Sequence, residues 1–207
     1  DMSLALNTQL NNQSGTISAA QNLKIEQQGA NLLVRNQDGT LIAGKKLNLT
    51  AETLQEAGKI LSQGDLSMAL QNDYTHAQGS ELKANGALQL STAGNIDNFG
   101  QMQASALNLQ AKNINNAAQA EIAADSTTIE ALQNVTNRGL IDGKQTHIQA
   151  AEVHNIGTGR IYGDDIAIGA ERIINAAETV GGQTKAGTIA ARNRLDLGAR
   201  EIYNQDG

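Results

Sequence analysis

Apolar and polar residues alternate along most of this chain, in short runs that recur about every 20 residues. The unit is visible in the stretch GRIYGDDIAIGAERIIN (159–175). It follows the frame G-x-I-x-small, a short gap, an apolar pair at alternate positions, and I-x-N. Alternation with a period of two is typical of β-strands, because successive side chains point to opposite faces. Each unit therefore predicts three short strands.

Aligning the repeats on this frame gives columns of like residues. The opening position holds Gly15, Gly39, Gly58, Gly79, Gly100, Gly139, Gly159 and Gly187, with Ala120 in the equivalent place. The first apolar position holds Ile17, Leu41, Ile60, Leu82, Met102, Ile122, Ile141, Ile161 and Ile189. Two residues later every repeat has a small residue: Ala19, Ala43, Ser62, Ala84, Ala104, Ala124, Gly143, Gly163 and Ala191.

The second and third strands have columns of their own. The second carries an apolar pair that runs from Leu23/Ile25 to Leu195/Leu197. The third ends in an asparagine in most repeats: Asn36, Asn98, Asn116, Asn137, Asn155, Asn175 and Asn204. Two repeats lack this asparagine. In them, Leu54 and Tyr74 correspond less closely to the apolar residue that stands two positions before the asparagine in the other repeats.

Strands of three to five residues are too short to be stable alone, and a unit of this size cannot bury its own apolar side. Stacking copies on one another solves both problems. The sequence therefore predicts an all-β fold, a parallel β-helix (solenoid) of about nine to ten coils of ~20 residues, in which each column becomes a ladder. With coils about 4.8 Å apart, nine of them give a rod about 45 Å long.

Two columns carry specific structural predictions. The small column is expected to mark a corner where the interior narrows, so that a larger side chain would clash. The asparagine column admits two interpretations: an inward ladder of amides that bond the backbone and one another, or a row of exposed turn residues. The ladder is favoured because the apolar residue two positions earlier shares its face of the strand.

No shift in composition divides the chain, so residues 1–207 are expected to form a single β-helix segment. Residues 4–12 match the second half of a repeat, and Gly207 lies where a further repeat should open. Both are expected of a fragment of a much longer filamentous protein. The stretch AAETVGGQTKA (176–186) lengthens one repeat and predicts a surface loop, because insertions in solenoids map to loops.

Composition limits the chemistry that such a rod can carry. Aromatic residues make up 2% of the chain and tryptophan is absent, so Leu, Ile and Ala must fill the core. Without cysteine there is no disulfide and no thiolate metal site. A net charge of −6 and a pI near 5.0 argue against a nucleic-acid partner. No apolar run approaches the roughly 18 residues of a membrane span.

The residues that could catalyse a reaction or bind a metal do not converge. Asp164 and Asp165 stand where other repeats have Lys-Lys or Lys-Gln, which indicates a solvated corner and not a two-carboxylate site. The histidines His76, His147 and His154 lack the spacing of a helical zinc motif and a carboxylate partner set, and are interpreted as surface residues. The sequence thus predicts no catalytic residue, no cofactor and no metal site.

The repeats GTISAAQNLKI, GTLIAGKKLNL and GTIAARNRLDL, together with the I-x-N element, resemble the filamentous haemagglutinin repeat. The resemblance covers nearly the whole chain and is clearest from Gly79 to Asn175. It implies a right-handed parallel β-helix that is exported through an outer-membrane two-partner-secretion transporter and displayed as a filament on the bacterial surface. Such repeats build the shafts of filamentous adhesins and of contact-dependent growth inhibition effectors, and both kinds of protein remain open.

The leading functional hypothesis is a structural shaft segment, not an enzyme, that displays adhesive, receptor-binding or toxin regions away from the cell. The alternative is an adhesive module that binds a host or bacterial surface glycan or receptor. Its contact would be the 176–186 loop or a sheet face with the basic residues Lys24, Lys45, Lys46, Arg192 and Arg194. A polysaccharide-cleaving enzyme would need charged residues clustered in a cleft between long loops, and the loops here are short.

Overall fold

The computed structural model describes residues 1–206, and all regular secondary structure in this range is β-strand. Strands of consecutive coils pair in parallel, each with the equivalent strand of the next repeat. The result is a β-solenoid of about nine turns, as the repeat predicted. Gly207, the expected opening residue of a further repeat, lies outside the described residues. Within residues 1–206 there is no helix long and apolar enough to cross a membrane.

Each coil contributes up to three strands. First strands in the early coils are β3 (Thr16–Ala19), β6 (Thr40–Ala43), β9 (Lys59–Ser62) and β12 (Glu81–Ala84). Second strands there are β1 (Met2–Leu6), β4 (Asn22–Gln27), β7 (Lys46–Thr50), β10 (Asp65–Leu70) and β13 (Ala87–Thr92). In the later coils one strand spans both: β15 (Gln101–Ala111), β17 (Glu121–Ala131), β19 (Leu140–Gln149), β21 (Arg160–Gly169) and β24 (Thr188–Gly198).

The third strands form separate sheets. They are β2 (Gln9–Asn11), β5 (Leu33–Arg35), β8 (Thr53–Gln55), β11 (Tyr74–His76), β14 (Ile96–Asn98), β16 (Ile114–Asn116), β18 (Asn134–Asn137), β20 (Glu152–Ile156), β22 (Arg172–Val180) and β25 (Glu201–Gln205). The remaining strand, β23 (Gln183–Ala186), pairs only with β22. The third sheet is divided between β8 and β11, at the two coils that lack the asparagine.

The prediction of strands of three to five residues is wrong for the later coils, where the first and second strands merge into runs of 10 or 11 residues. In the earlier coils two residues separate the first strand from the second, and in three of these coils one of the two is a glycine such as Gly44. A Cβ on Gly44 would lie 2.1 Å from the carbonyl oxygen of Ala20, so the backbone passes too close to the coil below for a side chain. In β15, β17, β19 and β21 a single residue, such as Ser105, fills this junction, and the backbone stays extended.

The register aligns the predicted apolar columns residue by residue. Ile17 pairs with Leu41, Leu41 with Ile60, and the series continues through every coil to Ile189. Most of these side chains are fully buried and form one continuous core along the rod. The predicted counterparts also pair in register, Leu54 with Val34 and Tyr74 with Ile96.

One opening residue differs from the sequence alignment. Glu81 pairs with Lys59 on one side and with Gln101 on the other. The residue before Glu81 is Ser80, so Ser80 and not Gly79 is the counterpart of the opening glycines. The corner before it is one residue longer than the alignment indicated.

Candidate functional site

The third-strand asparagines point inward and bond one another through the later coils. The ladder runs through Asn98, Asn116, Asn137, Asn155, Asn175 and Asn204. Asn116 shows the pattern: its Nδ2 donates to Asn137 Oδ1 at 2.8 Å and to the carbonyl oxygen of Leu140 at 3.1 Å. All members except Asn204 are buried. An unpaired amide in this interior would cost about 1–3 kcal/mol, so each coil depends on the next for its hydrogen bonds.

A shorter ladder occupies the first coils. Asn12 Nδ2 donates to Asn36 Oδ1 at 2.7 Å, and Asn36 donates in turn to the carbonyl oxygen of Ala57. Because a backbone carbonyl takes the place of the next amide, the side-chain ladder stops at this coil. It resumes at Asn98, so the two ladders are separate.

His76 occupies the asparagine position between the two ladders, in register with Asn98. Its interpretation as a surface residue is wrong, because its side chain is fully buried. Nε2 contacts the carbonyl oxygen of Gln101 at 3.0 Å, and Nδ1 lies 3.0 Å from the hydroxyl of Tyr74. Burial lowers the pKa of His76 and raises that of Tyr74, so both side chains are held neutral.

The other two histidines lie on the outside of the rod. His147 is exposed. His154 Nε2 lies 2.9 Å from Oε2 of Glu152, whose other oxygen accepts from Arg172 at 3.0 Å. The hydrogen bond from His154 and the charge of Arg172 lower the pKa of Glu152. These groups form a surface ion-pair row across neighbouring coils.

The small column lies at the junction of the first and second strands. Five of its members are buried: Ala19, Ala43, Ser62, Ala84 and Gly163. Four are partly exposed: Ala104, Ala124, Gly143 and Ala191. At Gly143 a Cβ would lie 2.6 Å from the carbonyl oxygen of Ala124 in the coil below. The stacked backbones therefore leave no room for a side chain at that member of the column.

The acidic pair Asp164-Asp165 lies inside β21 and not in a turn. Asp164 accepts a hydrogen bond from Arg192 at 2.8 Å, and Asp165 stands in register with Arg194. The strand register shifts here, because the next coil has one additional residue after Ala191, which pairs with Gly163. Arg192 of the neighbouring coil thus balances the charge of Asp164. Residues 1–206 contain no group of three or more His, Cys, Asp or Glu that could hold a metal ion.

The basic residues proposed for a binding face do not come together. Lys46 and Arg194 stand in the same column but seven coils apart, about 34 Å along the rod. Three of the five also pair with carboxylates: Lys24 with Glu26, Arg192 with Asp164, and Arg194 with Asp196. The prediction of a single basic sheet face is therefore wrong for these five residues.

The 176–186 insertion is an ordered β-hairpin. β22 runs to Val180, and β23 returns antiparallel to it with Gln183 opposite Val180. The two residues between them, Gly181 and Gly182, have φ values of 60° and 77°. Positive φ at both central residues is what a type I′ hairpin turn requires, and Gly-Gly meets that requirement without strain.

Glu178 fixes this hairpin to the wall of the rod. Its two carboxylate oxygens accept hydrogen bonds from Nε and Nη2 of Arg138, both at 2.8 Å, from 40 residues earlier in the chain. Gly157 lies between them, with a φ of 62°, and a Cβ there would come within 2.9 Å of the Glu178 carboxylate. The hydrogen bonds lower the pKa of Glu178 and raise that of Arg138. The hairpin is thus held against two earlier coils.

Two comparisons with known proteins gave matches. A model of the haemagglutinin repeat matches residues 1–68, a different part of the chain from the Gly79–Asn175 stretch that carries the resemblance most clearly. The protein named deoxyribonuclease CdiA from Dickeya dadantii (strain 3937) is 29% identical over 215 aligned residues. The alignment covers 84% of this chain but only 6% of that relative. No solved structure gave a significant match.

Proposed function

We propose that this chain, a filamentous haemagglutinin and CdiA-like repeat region, is a shaft segment of a secreted filamentous exoprotein displayed on the bacterial surface. The observation that carries the proposal is the unbroken register of the first-strand apolar column, from Ile17 to Ile189, through about nine coils. Apart from the contact between Arg138 and the hairpin, each coil packs on its immediate neighbours. Repeating this contact gives the rod a defined length.

The haemagglutinin repeat and the solenoid fold suggest a structural, non-enzymatic segment. The nuclease activity in the relative's name describes that protein, of which this chain spans 6%. Export through an outer-membrane two-partner-secretion transporter belongs to the same proposal. The absence of cysteine supports it, because a chain without thiols can cross an oxidising compartment without forming wrong disulfides.

An in-register deletion in the full-length protein tests the shaft role. Thr16 pairs with Thr40, and Thr40 with Lys59, so removing residues 17–59 joins Thr16 to Ile60 and deletes two whole coils in register. We expect a downstream epitope to remain accessible to antibody on intact cells. A control deletion of residues 17–60 removes one residue more, which shifts inward residues to the outer face, and should reduce display.

Loss of display after the 17–59 deletion, when the shortened chain itself is folded, would contradict a shaft role. Retained display with lost attachment to target cells would instead show that these coils bind the target themselves.

A second candidate function, adhesion, is favoured by one observation. The hairpin leaves the regular coil, is pinned by the Arg138–Glu178 contact, and presents an exposed tip at Val180 (69% exposed). Deleting residues 177–186 leaves Ala176 as a one-residue corner before Gly187, the length that other coils use. Unchanged binding of this variant to cells or to a surface-glycan array would exclude the hairpin as the adhesive element.

A further inference from the structure

The corner that leads from the third strand into the next coil alternates in length. With Ser80 as an opening residue, a single residue fills this corner at Ala57, Phe99 and Arg138. The corners between and after them hold three residues each, at 77–79, 117–119 and 156–158. Corners of one and three residues therefore alternate along one edge of the rod, from residue 57 to residue 158.

Each short corner is the floor of a notch between two longer corners. The first notch, about 420 Å³, lies over Glu56 and Gly58, and the second, about 660 Å³, over Phe99 and Gly100. The third, about 520 Å³, lies over Arg138 and is closed on one side by the hairpin. Because two coils separate successive notches, they repeat about every 9.6 Å along the axis.

The three notches lie in one row along the rod, called the trough below, and each shares a wall with the next. Gln78 lines both the first and the second notch, and Gln119 lines both the second and the third. Among the contacts of residues 1–206, neither of these side-chain amides has a hydrogen-bond partner, so both can bond a ligand. Gln37 lines the far side of the first notch.

The lining has the chemistry that recognises sugars. An amide offers two donors and an acceptor, which complements a hydroxyl group as both donor and acceptor. Phe99, the single phenylalanine of the chain, is 46% exposed on the floor of the middle notch, where its ring can pack against the apolar face of a pyranose. The charged residues along the three notches balance, and Glu81 is paired with Lys59 at 2.8 Å. Four are acidic and four are basic: Asp38, Glu56, Glu81 and Glu121 against Lys59, Arg138, Arg160 and Lys185.

We propose that this trough binds an extended, neutral polysaccharide that runs parallel to the rod. The two-coil spacing of the notches is comparable with the disaccharide repeat of an extended β-1,4-linked chain, so equivalent sugars meet equivalent amides. The site is distinct from the hairpin tip and independent of the shaft role.

A peptide fits the trough less well. Peptides are bound in extended form by adding to a free strand edge or by placing side chains in apolar pockets. Of the third strands that lead into these corners, β14 to β20 are paired on both sides. β8 and β11 are each paired on one side, and their unpaired edges face each other where the sheet divides. Phe99 is also the one large apolar side chain along the three notches apart from the half-buried Leu140.

Titration calorimetry on the 207-residue chain tests the assignment with defined probes. We use the hexamers of β-1,4-linked glucose and β-1,4-linked N-acetylglucosamine, their dimers, and decaproline, whose polyproline II helix has a similar repeat of about 9 Å. We expect saturable binding of at least one hexamer, and weaker binding of its dimer. Phe99→Ala and the double variant Gln78→Ala/Gln119→Ala should each weaken hexamer binding by about tenfold or more.

Two variants serve as controls, and thermal unfolding verifies that all variants are folded. Phe99→Tyr keeps the ring and should bind like the unaltered chain. Leu132→Ala removes another exposed apolar side chain (81% exposed), outside the trough, and should have no effect. The proposal is overturned if neither hexamer binds, if binding is unchanged in Phe99→Ala, or if decaproline binds more tightly than both hexamers. None of these results would bear on the shaft role, which the in-register deletion tests separately.

Discussion

His76 contacts the carbonyl oxygen of Gln101 through Nε2 at 3.0 Å, in the same place where Asn98 Nδ2 donates to the carbonyl oxygen of Glu121 one coil later. A carbonyl can only accept, so Nε2 carries the proton. Nδ1 is then free to accept from the Tyr74 hydroxyl at 3.0 Å. The imidazole thus replaces the bond that an asparagine makes to the next coil, and burial favours its neutral form.

We therefore expect the stability of the chain to fall as the pH drops below about 6.5, the ordinary pKa of histidine. Burial lowers the pKa of His76 in the folded chain, so the unfolded chain takes up the proton first. The stabilisation is complete above the unfolded pKa and is lost as the pH falls toward the folded one. Urea unfolding between pH 5.5 and 8 measures this slope. The slope should flatten in His76→Asn and persist in His147→Asn, whose parent side chain is exposed. An unaltered slope in His76→Asn would refute the assignment.

Asn116→Ala should destabilise the chain by several kcal/mol, about 1–3 for each buried group left without a partner. The variant removes the acceptor of Asn98 and the donor to Asn137 at once. Asn134→Ala, an exposed asparagine in the next coil, should change the free energy of unfolding by less than about 0.5 kcal/mol. Equal changes in the free energy of unfolding would show that a buried ladder asparagine stabilises the fold no more than an exposed one.

Thr127→Val and Thr146→Val should each raise stability by about 1 kcal/mol. The two threonines pair in register inside the second-strand apolar column, and neither hydroxyl has a protein partner. Valine keeps the β-branched shape and removes the buried hydroxyl. Thr128→Val, on the outer face, gives the matched control and should not stabilise. A loss of stability in both inner variants would mean that the hydroxyls are satisfied by buried water.

Ala43→Leu should cost about 1–3 kcal/mol by overpacking the junction. Ala43 is fully buried between Ala19 and Ser62 in the neighbouring coils. The same enlargement at Ala167, which lies on the outer face and is partly exposed, should be nearly neutral. Thermal unfolding of both variants decides whether the small column is a packing requirement.

Arg138→Gln should release the hairpin without unfolding the rod. The guanidinium makes both hydrogen bonds to Glu178 and lowers the pKa of its carboxyl, so the contact is complete above the ordinary glutamate pKa and weakens as the pH falls below it. We expect faster amide hydrogen exchange in residues 177–186 and faster proteolysis near Gly181. Arg172→Gln, which removes two ion pairs on the outside of the rod, should leave exchange in the hairpin unchanged. Slow exchange in Arg138→Gln would mean that the hairpin is held by its own strand pairing.

Much of the structure could be predicted because a solenoid turns sequence period into spatial contact. Residues about 20 positions apart lie on top of one another, so Ile17, Leu41 and Ile60 are neighbours in the sequence alignment and in the core. The same logic could have placed His76 inside, since Tyr74-x-His76 stands where other repeats have I-x-N. The misassigned Gly79 hid the alternation of corner lengths, which counting from Ser80 reveals in the sequence.

The sequence by itself determined the coil, its columns and their register, because each of these depends on matching positions of successive repeats. Only the tertiary structure decided which contacts form between residues at non-equivalent positions of the repeats. The Arg138–Glu178 contact joins a corner to a hairpin two coils away, the first and second strands merge from β15 onward, and the volumes of the notches depend on how neighbouring corners pack. Such features follow from the path of the backbone in space, and no period in the sequence encodes that path.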